Sequence, residues 1–482
     1  MCCRTYENVS KINGEKITMQ MGYAKFGEIE CVFNVEKSNI TLIAKNEKDS
    51  YTLLKADKKK NYFFEYTTSD CKNCYAYIED TVSDIFNKTI NLKTKFIIKN
   101  FCNEPISCME IIGEDVDEFF SPSRYFYTLS KKGLLKDQNL IYKQNKVDEW
   151  KIKFEEKDII ISLSFGNILK KGIASDLKLH ARLSLIFDET RDYEFVYKVY
   201  SLIQRFLNVV LYECEHSENN VDLSVQKPNG VLSYTGKLID CSLTSPNYKG
   251  LHEINYNNYS NFVERLLQFC ADNPNLSIKH FSTRGVKYCG RDYTSEDVLN
   301  IFSAFEDECK AEKEIYEKVD DKLIADKKTE LVSIIEKLEF LNDEEKDFIN
   351  QAKDKILKLG TEFGQKNKIV NAYKVLSGAL MQSIKNIFYL HKLKNFEVLD
   401  DDDINDFAKF LAKMRGKKTH SGSILEFTDK EAQIIRFFEI LVYSQILKRA
   451  KLSDSEIELV VGSVFGVNQL MFQKSLEECT QS

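Results

Sequence analysis

Arg415 and His420 stand at the ends of the segment Arg415-Gly-Lys-Lys-Thr-His420, and their side-chain types suggest chemistry on a phosphodiester. A guanidinium presents a planar fork of donors that matches phosphate oxygens. An imidazole is the side chain that exchanges a proton near neutral pH. From Phe407 to Leu425 there is no acid, while Lys409, Lys413, Arg415, Lys417, Lys418 and His420 supply positive or protonatable groups. The whole chain of 482 residues carries a formal charge of −6. That balance argues against coating a nucleic acid through many phosphate contacts, and it makes a confined basic spot the more informative feature. Lys413, Lys417 and Lys418 are the candidate contacts to flanking phosphates. The plain alternative for Arg415 is a cation that offsets a helix dipole, worth about 0.3–1 kcal/mol.

Other residues invite weaker readings. Asp400, Asp401, Asp402, Asp403 and Asp406 form an acidic cluster, read here as carboxylates gathered at a helix N-terminus rather than as a hard-cation site. Cys71 and Cys74 have the spacing of a zinc knuckle, but Cys102 and Cys108 downstream do not match it as a second pair. Thirteen cysteines without repeated spacing, in a chain large enough to bury a core, read as reduced thiols. No metal or other cofactor is expected. His180 falls on the polar face of an alternating strand and reads as solvated. His391, Phe437, Phe438 and Tyr443 continue apolar helix faces and read as core. Gly462 and Gly466, four apart, suit close helix approach.

The elements that must position Arg415 and His420 follow from periodicity. Ile404, Phe407, Ala408, Leu411 and Met414 recur at intervals of three and four, so Asp401 to Arg415 reads as a helix with one buried stripe. Arg415 continues that stripe and is expected on its inward side. Gly416 is expected to cap the helix and His420 to lie in the following loop. Four capping-box patterns begin at Thr294, Asn342, Thr428 and Ser453. All five prolines precede residue 275, which leaves the rest free for long helices. We expect two helices from Thr294 to about Leu341, then helices at Lys366–His391, Asp429–Ala450 and Asp454–Ser475.

Before residue 275 the text reads mainly as strands: Ile40–Ala44, Tyr51–Leu54, Tyr62–Tyr66, Lys95–Ile98, a hairpin of Trp150–Phe154 with Ile159–Phe165, and an alternating strand from Leu177 to Phe187. A helix is expected at about Tyr193 to Cys214. The fold class is therefore α+β, with a β-rich domain over 1–280 and a helical bundle over 290–482. No run of about 18 apolar residues occurs, and the first residues lack the apolar stretch of a signal peptide, so a cytoplasmic protein with no membrane partner is expected.

The helix, the Arg415-Gly416-Lys417-Lys418-Thr419-His420 segment and the helix after it resemble the RxxxxH signature of HEPN domains, helical bundles of prokaryotic RNA-targeting immunity and toxin proteins. Many members carry Asn, Asp or His directly after the arginine, where this chain has Gly416. The β-rich front with such a C-terminal domain also resembles the ApeA-like anti-phage proteins. The resemblance implies a metal-independent endoribonuclease in which Arg415 and His420 are catalytic and Lys413, Lys417 and Lys418 bind RNA. It further implies a homodimer with a composite cleft, a cellular RNA such as transfer RNA as target, and an N-terminal domain that senses a phage-derived trigger. Its alternative is a non-catalytic module that dimerises and holds RNA or protein, with Arg415 in a structural ion pair.

Overall fold

A computed structural model describes residues 11–12, 15–16, 20–36, 38–55, 60–131, 145–167, 179–212, 219–227, 230–241, 256, 260–281, 293–316, 322–337, 343–358, 364–389, 401–421 and 427–465. The chain divides into two compact units. One comprises Met1–Leu211, Glu215–Asn247 and Asn255–Pro274; the other comprises Tyr212–Cys214, Tyr248–Ile254 and Asn275–Ser482.

The first unit is built on strands. β1 (Lys11–Ile12) and β2 (Glu15–Lys16) pair only with each other. β3 (Gln20–Phe26), β4 (Ile29–Glu36), β5 (Asn39–Ala44), β6 (Tyr62–Thr68), β7 (Asn73–Asp84) and β8 (Thr89–Lys99) close into a six-stranded antiparallel barrel, because β7 pairs with both β6 and β8. Following opposed residues round it, from Asp84 through Thr89, Ile43, Val32, Tyr23 and Thr67, returns to β7 at Asn73, eleven residues back along the same strand. Such stagger tilts the strands steeply. Inward residues, among them Phe33, Ile40, Leu42, Ile78, Ile90 and Leu92, fill the interior.

The length of β8 joins the barrel to an open sheet. Its first half pairs with β5, and its last residues pair with β14 (Leu232–Asp240). From β14 the sheet continues through β13 (Asn220–Gln226), β9 (Ile106–Ile112), β12 (Leu179–Thr190) and β11 (Lys157–Asn167) to β10 (Asn145–Phe154). In β12 the buried Ala181, Leu183, Leu185 and Phe187 alternate with His180, Arg182, Ser184 and Ile186, as a sheet with one covered face requires. The Tyr193–Leu211 helix covers that face, with Tyr197 stacked on Phe96 at 4.5 Å and Phe206 edge-on to Phe119 at 5.4 Å. The edge strand β10 is guarded by a side chain that imitates a strand rung. Gln268 accepts from Lys153 N at 2.9 Å and donates to Lys153 O at 3.0 Å.

Two strand expectations need correction. Tyr51–Leu54 lies in a short helix, Ser50–Lys55, in which Ser50 and Leu53 are the buried residues; a four-residue apolar run does not distinguish strand from helix. The Lys95–Ile98 strand is the end of a much longer one, since Thr89–Leu92 is equally buried.

The second unit is helical over its described residues. Helices run at Ser295–Ala311, Lys313–Tyr316, Lys322–Ile335, Asp343–Lys358, Gln365–Tyr389, Asp401–Ser421, Asp429–Arg449 and Asp454–Val464. The region after Thr294 thus holds three helices before residue 341, where two were expected. Capping boxes form at Thr294 with Asp297, Thr428 with Glu431 and Ser453 with Glu456. The Asn342 box, His391, Gly466 and the continuation of the last helix to Ser475 lie outside the described residues. The Asp429–Arg449 helix is buried on all sides from Gln433 to Leu447 and forms the centre, with Phe437, Phe438 and Tyr443 at 1% exposure or less. The Gln365–Tyr389 helix packs against it and against the helices at Asp401–Ser421 and Asp454–Val464. No described helix is long and apolar enough to cross a membrane.

Candidate functional site

The Asp401–Ser421 helix is anchored by Ile404, Phe407, Ala408, Leu411 and Met414, all buried, and each of these side chains larger than alanine contributes about 1.5–3 kcal/mol when fully removed from water. Asp402 and Asp406 are exposed on its first turns, where carboxylates complement the helix dipole. Lys409 and Lys413 are exposed on its outer side.

Arg415 follows the buried stripe but stops at its margin. Its side chain is 43% exposed, and its guanidinium pairs with the carboxylate of Glu306 on the Ser295–Ala311 helix. Glu306 is an acid brought into the basic window from more than a hundred residues away, and no local spacing could reveal it. Both partners of the pair are partly exposed, Glu306 at 26%. A phosphate can therefore compete for the guanidinium, because half-exposed ion pairs are individually weak.

The helix does not end at Gly416. It runs to Ser421, so Gly416 is an interior position rather than a cap, and His420 belongs to the helix rather than to a loop. A glycine inside a helix costs about 1 kcal/mol relative to alanine, which the good helix formers Lys417 and Lys418 do not reverse but which a packed helix tolerates. The side chains of Lys417 through Ser421, His420 among them, lie outside what the structure describes. Backbone geometry alone places the Cα of His420 about 7.5 Å along the axis from that of Arg415 and about 140° round it. Helix geometry therefore does not align the two on a single face.

A second arginine–glutamate pair shows what a closed pair looks like. Arg449 donates from Nε and Nη2 to the two oxygens of Glu308, both at 2.8 Å, and Ser277 Oγ donates to the same carboxylate at 2.5 Å. Glu308 is 2% exposed. Close by, burial raises the pKa of the Glu312 carboxyl, an effect that Glu308 adds to and Arg449 only partly offsets. On the central helix, Glu439 is buried and accepts from Tyr212 Oη at 2.7 Å and Tyr293 Oη at 2.8 Å. Arg436 donates from Nη2 to the Phe465 carbonyl at 2.7 Å, satisfying the end of the Asp454–Val464 helix. Sequence periodicity marked this region as core and missed these polar anchors, because their partners come from distant segments.

In the strand-built unit, His180 is not simply solvated. Its Nδ1 lies 2.7 Å from Asp117 Oδ2, and Asp117 Oδ1 accepts from Ala181 N at 2.7 Å. Asp117 thus serves the first residues of β12 beyond the register that pairs β12 with β9. The cysteines of the knuckle pattern separate. Cys71 and Cys102 are exposed, Cys74 points into the barrel, and Cys108 is buried in the open sheet. Burial raises the thiol pKa of Cys74 and pushes that of Cys108 up to about 11. Among the described residues, no three His, Cys, Asp or Glu side chains converge as metal ligands. A cavity of about 1140 Å³ opens at the barrel between β3 and β6.

No family model, no curated protein and no solved structure matches this chain.

Proposed function

We propose that the helical unit is a metal-independent endoribonuclease of the HEPN type, acting as a homodimer on cellular RNA such as transfer RNA in an anti-phage, abortive-infection response. The observation that carries this reading is Arg415. It is a guanidinium at the margin of a packed helix, partly exposed and paired with Glu306, with Lys409 and Lys413 exposed on the same helix and His420 five residues further on. Arg415 clamps the scissile phosphate and stabilises the charge that grows on its oxygens. His420 takes the proton of the 2′-hydroxyl as that oxygen attacks phosphorus, and a second protonated imidazole returns a proton to the departing 5′-oxygen. One chain offers one such histidine in this segment, so the second comes from a second copy across a two-fold axis. The products are a 2′,3′-cyclic phosphate and a 5′-hydroxyl, and DNA is spared because it lacks the attacking hydroxyl.

Self-association is supported by large apolar side chains exposed in the helical unit: Leu331 at 49%, Ile334 at 53% and Phe348 at 73%. The test is cleavage of an RNA pool by the full chain and by Arg415→Ala and His420→Ala. Each substitution is expected to lower the rate by about 10²–10⁴. Undiminished cleavage by both variants sinks the assignment. A second reading is favoured by the Arg415–Glu306 pair itself: a non-catalytic module that binds RNA or protein, in which that pair is structural. Under it, neither variant changes any cleavage, and Arg415→Ala changes stability.

A further inference from the structure

The barrel is closed unevenly. β3 and β6 are opposed at Gly22 with Thr68, Tyr23 with Thr67 and Ala24 with Tyr66, and there the ladder stops. The next rung would set Lys25 against Glu65, and the one after it Phe26 against Phe64. Opposite charges directly across a rung favour pairing, yet no ion pair joins Lys25 to Glu65, and both are exposed. Phe26 and Phe64 meet inside with ring centroids 6.2 Å apart, so side chains bridge the seam where backbone bonds end. Among the described residues, no strand pairs with that edge of β6 from Tyr62 to Glu65, although its other edge is fully paired with β7.

The cavity lies along this open seam, and its lining has two sides. From the barrel interior come Phe26, Phe64 and Tyr66; from the outer face come Tyr23, Lys25 and Glu65. A compact small molecule needs one concave wall. A site lined by both faces of the same strand edges suits a ligand whose groups point alternately to two sides, which is the geometry of an extended chain. The backbone of β6 supplies the pairing, the cavity's aromatic wall of Phe26, Phe64 and Tyr66 packs against every second side chain, and Lys25 and Glu65 on the outer face complement side chains of opposite charge.

We infer that the seam between β3 and β6 binds an extended peptide of a partner protein by strand addition to β6, with large apolar residues alternating with charged ones. The inference rests on the barrel alone and does not depend on the ribonuclease reading.

The test uses the full chain and a blocked octapeptide, Lys-Phe-Glu-Val-Lys-Phe-Glu-Val, with two N-methylated versions that each block the donors of one peptide edge. Titration calorimetry is expected to show binding of the parent, at least about ten-fold weaker binding of one methylated version, and little change for the other. Amide exchange is expected to slow within Tyr62–Glu65 on addition of the parent peptide. The exposed-site variant Glu65→Lys should lower affinity for this peptide and improve it for a version with lysine and glutamate exchanged. Equal binding of both methylated versions, binding without slowed exchange at Tyr62–Glu65, or no binding at about 1 mM would overturn the proposal.

Discussion

Arg449 and Glu308 are joined by two parallel hydrogen bonds of 2.8 Å in the interior of the helical unit, while two residues earlier on the same helix Glu306 meets Arg415 at its margin. The two pairs use identical groups and differ in burial. Glu308 is 2% exposed and holds a third donor from Ser277, whereas Glu306 and Arg415 are 26% and 43% exposed. The first is a fixed strut. The second is partly open to water.

That difference predicts unequal costs. Glu308→Ala removes the carboxylate that accepts two hydrogen bonds from the largely buried Arg449 and is expected to destabilise the unit by about 3–5 kcal/mol. Glu306→Ala should cost no more than about 1 kcal/mol. Denaturant unfolding of the two variants measures both, and equal costs would remove the basis for treating Arg415 as available.

Under the proposed function, RNA binding should be local. Lys409→Gln and Lys413→Gln are each expected to flatten the dependence of log affinity on log salt by about 0.7 for single-stranded RNA, with a modest loss of affinity at low salt. Fluorescence anisotropy across a salt series reads the slope. An unchanged slope in both variants places the phosphate contacts elsewhere.

Glu312 carries a pH signature. Burial raises its pKa in the folded state, so the folded protein holds that proton more tightly than the unfolded chain does. Its contribution is therefore fully present below the ordinary glutamate pKa and is lost as pH rises through the folded value. Glu312→Gln removes that loss. The variant should be more stable than the parent at neutral pH and match it in acid, and a stability difference independent of pH would contradict this account.

Phe348, Leu331 and Ile334 test the assembly. Under the proposed dimeric ribonuclease reading, Phe348→Glu is expected to shift the particle from dimer toward monomer in light scattering and to lower cleavage with it. Phe348 is exposed, so the substitution should leave the melting temperature of the separated chain nearly unchanged. A variant that stays dimeric and fully active removes this surface from the interface.

Much of the architecture was legible in the residues themselves, since local signals carry it. Period-two alternation marked β12, period-three-and-four stripes marked the Asp401–Ser421 helix, and serine or threonine three residues ahead of an acid marked capping boxes that form as read. Each depends on neighbours within one turn or one strand. Closure of the barrel did not show, because it depends on β3 pairing with β6 and β5 with β8, strands too far apart in sequence for any short window to contain both. The extent of the helix past Gly416 was misread for a related reason: a glycine caps a helix only when the chain turns there, and packing around the helix decides whether it does.

Arg415 divides the same way. Its type, its basic neighbours and its place at the end of an apolar stripe are properties of a short stretch of chain, and the proposed role at a phosphate was read from them. Its actual partner, Glu306, and its position at the margin are set by the packing of two helices far apart in sequence. A charge's neighbours within a turn follow from the order of residues. Its partner, and how much water reaches it, belong to the folded molecule alone, because electrostatic energy is fixed by distance and burial rather than by order along the chain.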